Sequence, residues 1–379
     1  MIQGWIGALR RTDGVLTLAV AVLLMLGFAA LYSVSLSSGS SQLLFKQGLA
    51  VTGGGLAAAA LAISNYRLLR GASFLLYGVT IATLAGVLII GTSVRGTTGW
   101  FSLFGFHLQP VEFAKVSLII LLARYLGQRG DRPFRWKDWL ITGGITALPV
   151  LLTFLQPDTG SALLLLAVWG GMMTAAGASK RQLFFLVCLM AVVGSLAWQT
   201  VLADYQKQRV LVFLHPSADP SGEGYNVHQA MIAIGSGGWF GRGLGFGPQS
   251  QLRFLPERQT DFIFAVLAEE LGLVGTLLVL VALAALVLRS FHQAALARDP
   301  FAGNLLSGLA FLFLFQSSVN VGMNFGLLPV TGVPLPFVSY GGSSLVSALL
   351  AVGIIQSVAA RNTDHRRLFQ RTDSWYRGN

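Results

Sequence analysis

Charge is the scarcest feature of this sequence. Of its 379 residues only 11% are Asp, Glu, Lys or Arg, less than half of the roughly 25% usual in a soluble domain. In their place 54% are hydrophobic, and the mean hydropathy is +0.67. That balance excludes a soluble globular fold and points to a polytopic membrane protein. Cysteine is nearly absent: Cys188 stands alone inside an apolar run, which excludes an internal disulfide and a cysteine-held metal cluster. The five histidines, His107, His215, His228, His292 and His365, are scattered without ligand spacing, which argues against a zinc site. Acids are outnumbered by bases, 15 to 26, for a net charge of +11. The bases are spread over short loops and not gathered with aromatics on one face, so no nucleic-acid partner is expected. No low-complexity linker and no tandem repeat break the chain, which reads as a single membrane domain over 1–379.

What the chain does have is apolar runs. About 20 residues are needed to cross a bilayer as a helix. Ten runs qualify, at roughly 14–35, 42–64, 72–91, 111–126, 139–156, 160–178, 182–203, 262–288, 302–326 and 340–360. The expected fold is therefore all-α, with about ten transmembrane helices. The fourth run is short, and the fifth and sixth are joined only by Pro157-Asp158-Thr159, a tight turn. Arg10-Arg11 ahead of the first run resembles a secretion signal. The run is too long for one, and it is expected to stay as the first helix. Basic residues gather at one set of helix ends, among them Arg67, Arg70, Arg124, Arg129, Arg132, Lys180, Arg181, Arg289 and Arg361. By the positive-inside rule that set is cytoplasmic, which puts both termini inside.

The other side holds three segments, 92–110, 204–261 and 327–339. The long middle one, between helices 7 and 8, is the large extracytoplasmic loop. Its stretch Tyr225–Ile234 has helical spacing, and Gly235–Gly247 is rich in glycine. This is no phosphate-binding P-loop, because Gly-Lys-Ser/Thr is missing and no strand precedes it; by itself it suits a flexible surface loop equally well. A nucleophile-elbow pattern is also missing, which counts against a Ser-His-Asp hydrolase.

Charges near hydrocarbon are costly and by default mark function. Asp261 falls where the loop becomes the eighth helix. It suits either a chemical role or, with Thr260, the cap of that helix, since the dipole favours an acid there. Glu269 and Glu270 lie deeper; at 100° per residue they cannot face one point, and ion pairing with a buried base is expected for Glu270. Pro110 can open a helix in LQPVEFAKVSL, where Glu112 and Lys115 are neighbours three residues apart, as a structural salt bridge or as part of a polar site. Asp158 sits in LQPDTG, which is also ordinary turn chemistry. Lys46 needs only to snorkel to the surface. Prolines, glycines and small hydroxyls, including Ser339 and Ser343, interrupt two spans over 320–346. Broken backbone at that depth is tolerated only where it is buried in protein or lines a hollow.

These motifs carry a resemblance. HLQPVEFAK, LQPDTGSALLLL, FLPERQTDFIFAVLAEELGLVG and GLLPVTGVPLPFVSYGGSS, in this order over nearly the whole chain, resemble the SEDS family (shape, elongation, division and sporulation), its RodA branch more than its FtsW branch. Two positions depart from the pattern. Gly99 stands where relatives have Arg before Trp100, a charge that Arg95 is placed to replace, and Val111 stands where QPSE has Ser. The resemblance implies a peptidoglycan glycosyltransferase that polymerises lipid II on the outer face of the bacterial inner membrane. It also implies a class B penicillin-binding protein (a transpeptidase) as partner, within the rod-elongation machinery. By motif match Asp261 is the essential aspartate. The substrate-binding candidates are Arg95, Trp100, Gln109, Glu112, Lys115, Asp158, Arg253, Arg258, Ser339 and Ser343.

That chemistry needs one acid. A lipid pyrophosphate leaves readily, provided its oxygens meet positive charge from Lys, Arg or a divalent ion. The attacking sugar hydroxyl benefits from a base, and an α-linked donor becoming a β-linked product is inversion, which needs no protein nucleophile. Arg95, Lys115, Arg253 and Arg258 are the cations for the phosphates. No cofactor is demanded, and a divalent cation such as Mg2+ is the one candidate. The rival class is a lipid II flippase, since broken helices and intramembrane charges also suit a transporter. A flippase would show similar polar groups to both leaflets, and here they concentrate outside. A scaffold would leave Glu112, Lys115 and Asp158 unexplained.

Overall fold

The computed structural model describes residues 12–94, 97–103, 105–130, 132–200, 202–215, 222–252 and 254–376. Ten long helices among them fall on the ten apolar runs: α1 Gly14–Ser38, α2 Gln42–Ile63, α3 Arg67–Ile90, α4 Pro110–Gln128, α5 Trp136–Phe154, α6 Thr159–Ala175, α7 Lys180–Thr200, α11 Ile263–Leu296, α12 Pro300–Asn324 and α13 Gly342–Tyr376. Six helices are long and apolar enough to cross a membrane by length and composition: Gly14–Ser37, Arg67–Ile90, Lys180–Thr200, Ile263–Leu296, Pro300–Asn324 and Gly342–Asn362. The chain is a multi-pass membrane protein.

The short fourth helix has a physical explanation. α4 packs on α3, α12 and α13 and is buried over most of its length. Surrounded by protein, it need not match the lipid thickness and tolerates charges that a lipid-facing helix would not. α7 is the opposite case, peripheral, with Gln182 its one buried residue. α2 lies along α13, close enough that a Cβ at Gly353 would meet the carbonyl of Ala58 at 2.5 Å.

The segment after α3 departs from an all-helical chain. Strands β1 Thr92–Val94, β2 Thr97–Leu103 and β3 Phe106–Leu108 form a small antiparallel sheet in the order β1-β2-β3. Thr92 lies opposite Trp100, and Phe101 opposite Leu108. The long loop is largely helical: α8 Asp204–Leu214, α9 Glu223–Ser236 and the single turn α10 Pro248–Gln251. α9 buries Ala230 and Ala233 with Phe262 and Val266 of the α11 region.

The basic ends of three helices meet at Asp13, a residue that no sequence pattern singles out. Its carboxylate caps α1 through the N–H groups of Val15 and Leu16. It also accepts from Arg289 Nε at 2.5 Å and Gln293 Nε2 at 2.6 Å on α11. Its backbone N–H donates to Gln356 on α13.

Candidate active site

Asp261 lies two residues ahead of α11. The helix begins at Ile263 with Phe262 in the cap position, which offers no side-chain acceptor, so the cap reading of Asp261 fails. The first turn is served instead by Asn324 of α12, whose Oδ1 accepts the N–H of Ala265 at 3.2 Å. The same Asn324 donates through Nδ2 to the carbonyl of Asp261 at 3.0 Å, as does Asn320 at 3.2 Å. Asn320 also donates to the carbonyl of Val333. Two amides one turn apart on α12 thus fix the main chain of Asp261 to the 327–341 segment. The carboxylate is half-buried, and a Cβ built on Gly332 would stand 3.9 Å from its Oδ2.

From Gly332 the contacts run on to the other candidates. The carbonyl of Thr331 sits so close to α6 that a Cβ at Gly160 would meet it at 2.2 Å. Asp158, at the N-cap of α6, accepts from Ser161 N–H at 3.0 Å and from Gln109 Nε2 at 3.2 Å. Burial pushes its carboxyl above the usual carboxylate range, while Ser161 and the charge of Lys115 pull it back. The Gln109 N–H donates to Ser343 Oγ at 3.0 Å, and Ser343 in turn donates to the carbonyl of His107 at 3.3 Å. One turn into α4, Lys115 Nζ is 2.7 Å from Glu112 Oε2, both almost wholly buried, and Ser347 of α13 donates to that carboxylate. Ser339 closes the circuit, donating to the carbonyl of Thr260 at 2.6 Å and accepting from Leu335 N–H at 2.8 Å. Gln47 of α2 steadies this turn through the carbonyl of Ser339 and the N–H of Gly341. Phe337 within it takes a left-handed backbone, φ 66°, a conformation that persists only where the surroundings enforce it.

The structure therefore joins Asp261, Gln109, Glu112, Lys115, Asp158, Ser339 and Ser343 through α4, α6, α12 and the 327–341 segment. Trp100 adjoins the group through the sheet, its ring edge-on to His107 at 6.3 Å. Gly99 is buried against Gln156, and Val111 is fully buried. Arg258 turns toward α10, buried, and donates to the carbonyl of Ser250. Arg95 and Arg253 lie outside the described residues. Lys46 donates to the carbonyl of Gly105, between β2 and β3, at 2.8 Å. Among the described residues no three His, Cys, Asp or Glu side chains are grouped to hold a metal.

Glu269 and Glu270 correct an expectation. Both are buried, and among the described residues no base pairs with Glu270. Glu269 accepts the N–H groups of Gln249 and Ser250 at 2.8 and 3.0 Å; Glu270 accepts from Ser33 Oγ, Ser250 Oγ and Gln251 Nε2. Amides and hydroxyls from α1 and α10 replace the base, brought there by a loop whose return path local sequence does not reveal. Asn320 and Asn324 were also missed as site residues. Their four-residue spacing on an apolar helix, which puts two amides on one face, was the available signal.

The family model of FtsW, RodA and SpoVE, described as cell cycle protein, matches residues 14–364. The chain belongs to the FtsW/RodA/SpoVE family. It is 40% identical over 297 residues to the peptidoglycan glycosyltransferase MrdB of Escherichia coli K12, covering 78% of this chain and 79% of that one. It is 38% identical over 292 residues to the probable peptidoglycan glycosyltransferase FtsW of Acinetobacter baylyi, covering 76% and 72%. Its fold is similar to a chain of a peptidoglycan synthase complex solved for its coordination of polymerization and crosslinking, with TM-score 0.80 and 33% identity over 93% of this chain and 98% of that one. The crystal structure of the rod shape determining protein RodA of Thermus thermophilus is also similar, with TM-score 0.69 and 32% identity over 92% and 96%. For this member of the family, Gln109, Glu112, Lys115, Asp158, Asp261, Ser339 and Ser343 come from the same four motifs that carried the resemblance, while Asn320 and Asn324 lie outside them.

Proposed function

We propose that this chain is a peptidoglycan glycosyltransferase that polymerises lipid II into glycan strands for rod-shaped elongation, at the outer face of the bacterial inner membrane. Membership in a family whose relatives are named for that activity supports the reading. The observation that carries it within this chain is the placement of Asp261: a half-buried acid just ahead of α11, on a main chain held by Asn320 and Asn324.

The chemistry follows from that placement. The acceptor sugar hydroxyl attacks the anomeric carbon of the donor, opposite the lipid pyrophosphate. The new C–O bond forms as the bond to the phosphate oxygen breaks, and the electron pair leaves with the pyrophosphate. Asp261 takes the hydroxyl proton, so no covalent enzyme intermediate arises and configuration inverts. The developing phosphate charge falls to Lys115, with Arg95 and Arg253 as the further cations, whereas Arg258 is engaged by the carbonyl of Ser250; a divalent cation such as Mg2+ would add positive charge there. Gln109, Asp158 and Ser343 fix the start of α4 against α6 and α13, and so hold Lys115 at one height.

The test is glycan formation from lipid II by purified protein in detergent. Asp261→Asn keeps the shape and leaves the Asn324 cap of α11 in place. Removing a general base typically costs about 10²–10⁴-fold in rate, so the variant is expected to fold normally and make almost no glycan. Product at more than about a tenth of the wild-type rate removes Asp261 from that role. Absence of product from the wild type, with the cognate partner present, favours a flippase.

A further inference from the structure

The glycine-rich stretch 237–247 takes no part in the arrangement around Asp261, and it is not a flexible surface loop. α11 is broken at Gly272, where φ is 65° and ψ −161°. A break of this kind leaves carbonyls before it and amides after it without helical partners, which inside a membrane is costly. The loop takes four of them. Arg242 N–H donates to the carbonyl of Glu269 at 2.9 Å and Gly243 N–H to that of Glu270 at 3.0 Å, while Leu273 and Val274 donate to the carbonyls of Gly238 and Trp239 at 2.9 and 3.1 Å. Only glycine permits this approach: a Cβ at Gly237 would meet the Ala268 carbonyl at 2.0 Å, and one at Gly241 that of Glu270 at 2.1 Å. Glu269 and Glu270 then clamp the far limb of the loop through α10.

Rigidly held, the loop turns its largest apolar side chains outward. Trp239, Phe240 and Phe246 are 71%, 83% and 77% exposed. Trp239 and Phe240 adjoin Leu273 and Val274, the first members of an exposed apolar stripe that continues down α11 through Leu277 and Val281. The height of the loop can be counted. Asp13, with Arg289 and Gln293, marks the basic end of α1 and α11. Twenty residues up α1 stands Ser33, about 30 Å away at 1.5 Å per residue, which equals the thickness of the hydrocarbon core. Ser33 donates to Glu270, and a Cβ at Gly245 would touch Leu36. Between Glu223 and Arg253 the only charged residue is Arg242, which is exposed in the same loop and bonded to the carbonyl of Ser236. Aromatics beside a single arginine suit the membrane–water boundary, where rings of this kind collect.

We propose that the 237–247 loop is a membrane anchor, laying Trp239, Phe240 and Phe246 among lipid acyl chains at the boundary with the headgroups. Continuity with the stripe on α11, and the counted height, select lipid as the occupant. The anchor sets the level of Asp261, just ahead of Ile263, which begins α11 and stands nine residues before Gly272, about 14 Å outside the acyl boundary by helical rise.

The test is collision accessibility of a nitroxide. Phe240→Cys and, separately, Phe246→Cys are made in a Cys188→Ser background, labelled, and reconstituted in phosphatidylethanolamine and phosphatidylglycerol vesicles. Leu277→Cys serves as the lipid-facing reference. Oxygen partitions into hydrocarbon and a nickel chelate stays in water. Oxygen accessibility several-fold above that of nickel at both loop sites, as at the reference, is the expected result. Nickel dominance at either site, meaning water, overturns the proposal. Shielding from both reagents at either site, meaning cover by a second copy or another protein, overturns it equally.

Discussion

Lys115 and Glu112 show what a single pair contributes at this depth. Each is almost wholly buried, and their charged atoms are 2.7 Å apart. Removing one partner leaves the other desolvated, at a cost of about 3–5 kcal/mol, whereas replacing both with apolar or neutral groups of similar size costs far less. Lys115→Ala is therefore expected to lower the thermal midpoint and the rate of lipid II polymerisation together. The double variant Lys115→Met with Glu112→Gln should recover most of the midpoint without the rate. An unchanged midpoint for Lys115→Ala would mean that the pair sits in water. This pair was readable in advance because three-residue spacing on a helix makes neighbours. Glu270 was not, because its partners Ser33 and Ser250 come from 237 residues upstream and from a loop turned back on the helix.

At the scale of elements, the glycine loop and the broken helix α11 form one unit. Gly241 has φ 79° and no room for a Cβ against the carbonyl of Glu270. Gly241→Ala forces a strained backbone, costing roughly 1–3 kcal/mol, and displaces the donor Arg242 N–H. The expected outcome is a lower thermal midpoint with new protease cleavage between 237 and 247. Gly235→Ala, in α9 with open space at its Cβ position, is the control and should leave both unchanged. Cleavage no faster in Gly241→Ala than in the control would show that the loop is not pinned. The ten helices were legible because apolar length is a local property. The sheet after α3 was not, since its short strands are built of Thr, Gly, Ser and aromatics that also suit loops.

At the scale of the molecule, partnership is the outstanding question. A relative of this fold was solved in a synthase complex that joins polymerization to crosslinking. We expect a class B penicillin-binding protein to bind this chain and raise its polymerisation rate. Lipid II turnover by the purified pair, compared with this chain alone, checks it. Equal rates at saturating complex would remove activation from the partner's role.

The sequence by itself determined the solvent and the order of parts. Scarce charge and long apolar runs demand a bilayer, because each helix closes its own backbone hydrogen bonds and needs no knowledge of its neighbours. Motif order likewise pointed to Asp261, Glu112, Lys115 and Asp158 without a fold. Tertiary structure decided which groups serve which. Asn324 of α12, and not Asp261, caps α11, and the peptide groups left by the break at Gly272 are taken by residues 27 and 35 positions earlier in the chain. Both are contacts between segments brought together only by packing, and a hydrogen-bond partner far away in sequence leaves no periodicity to read.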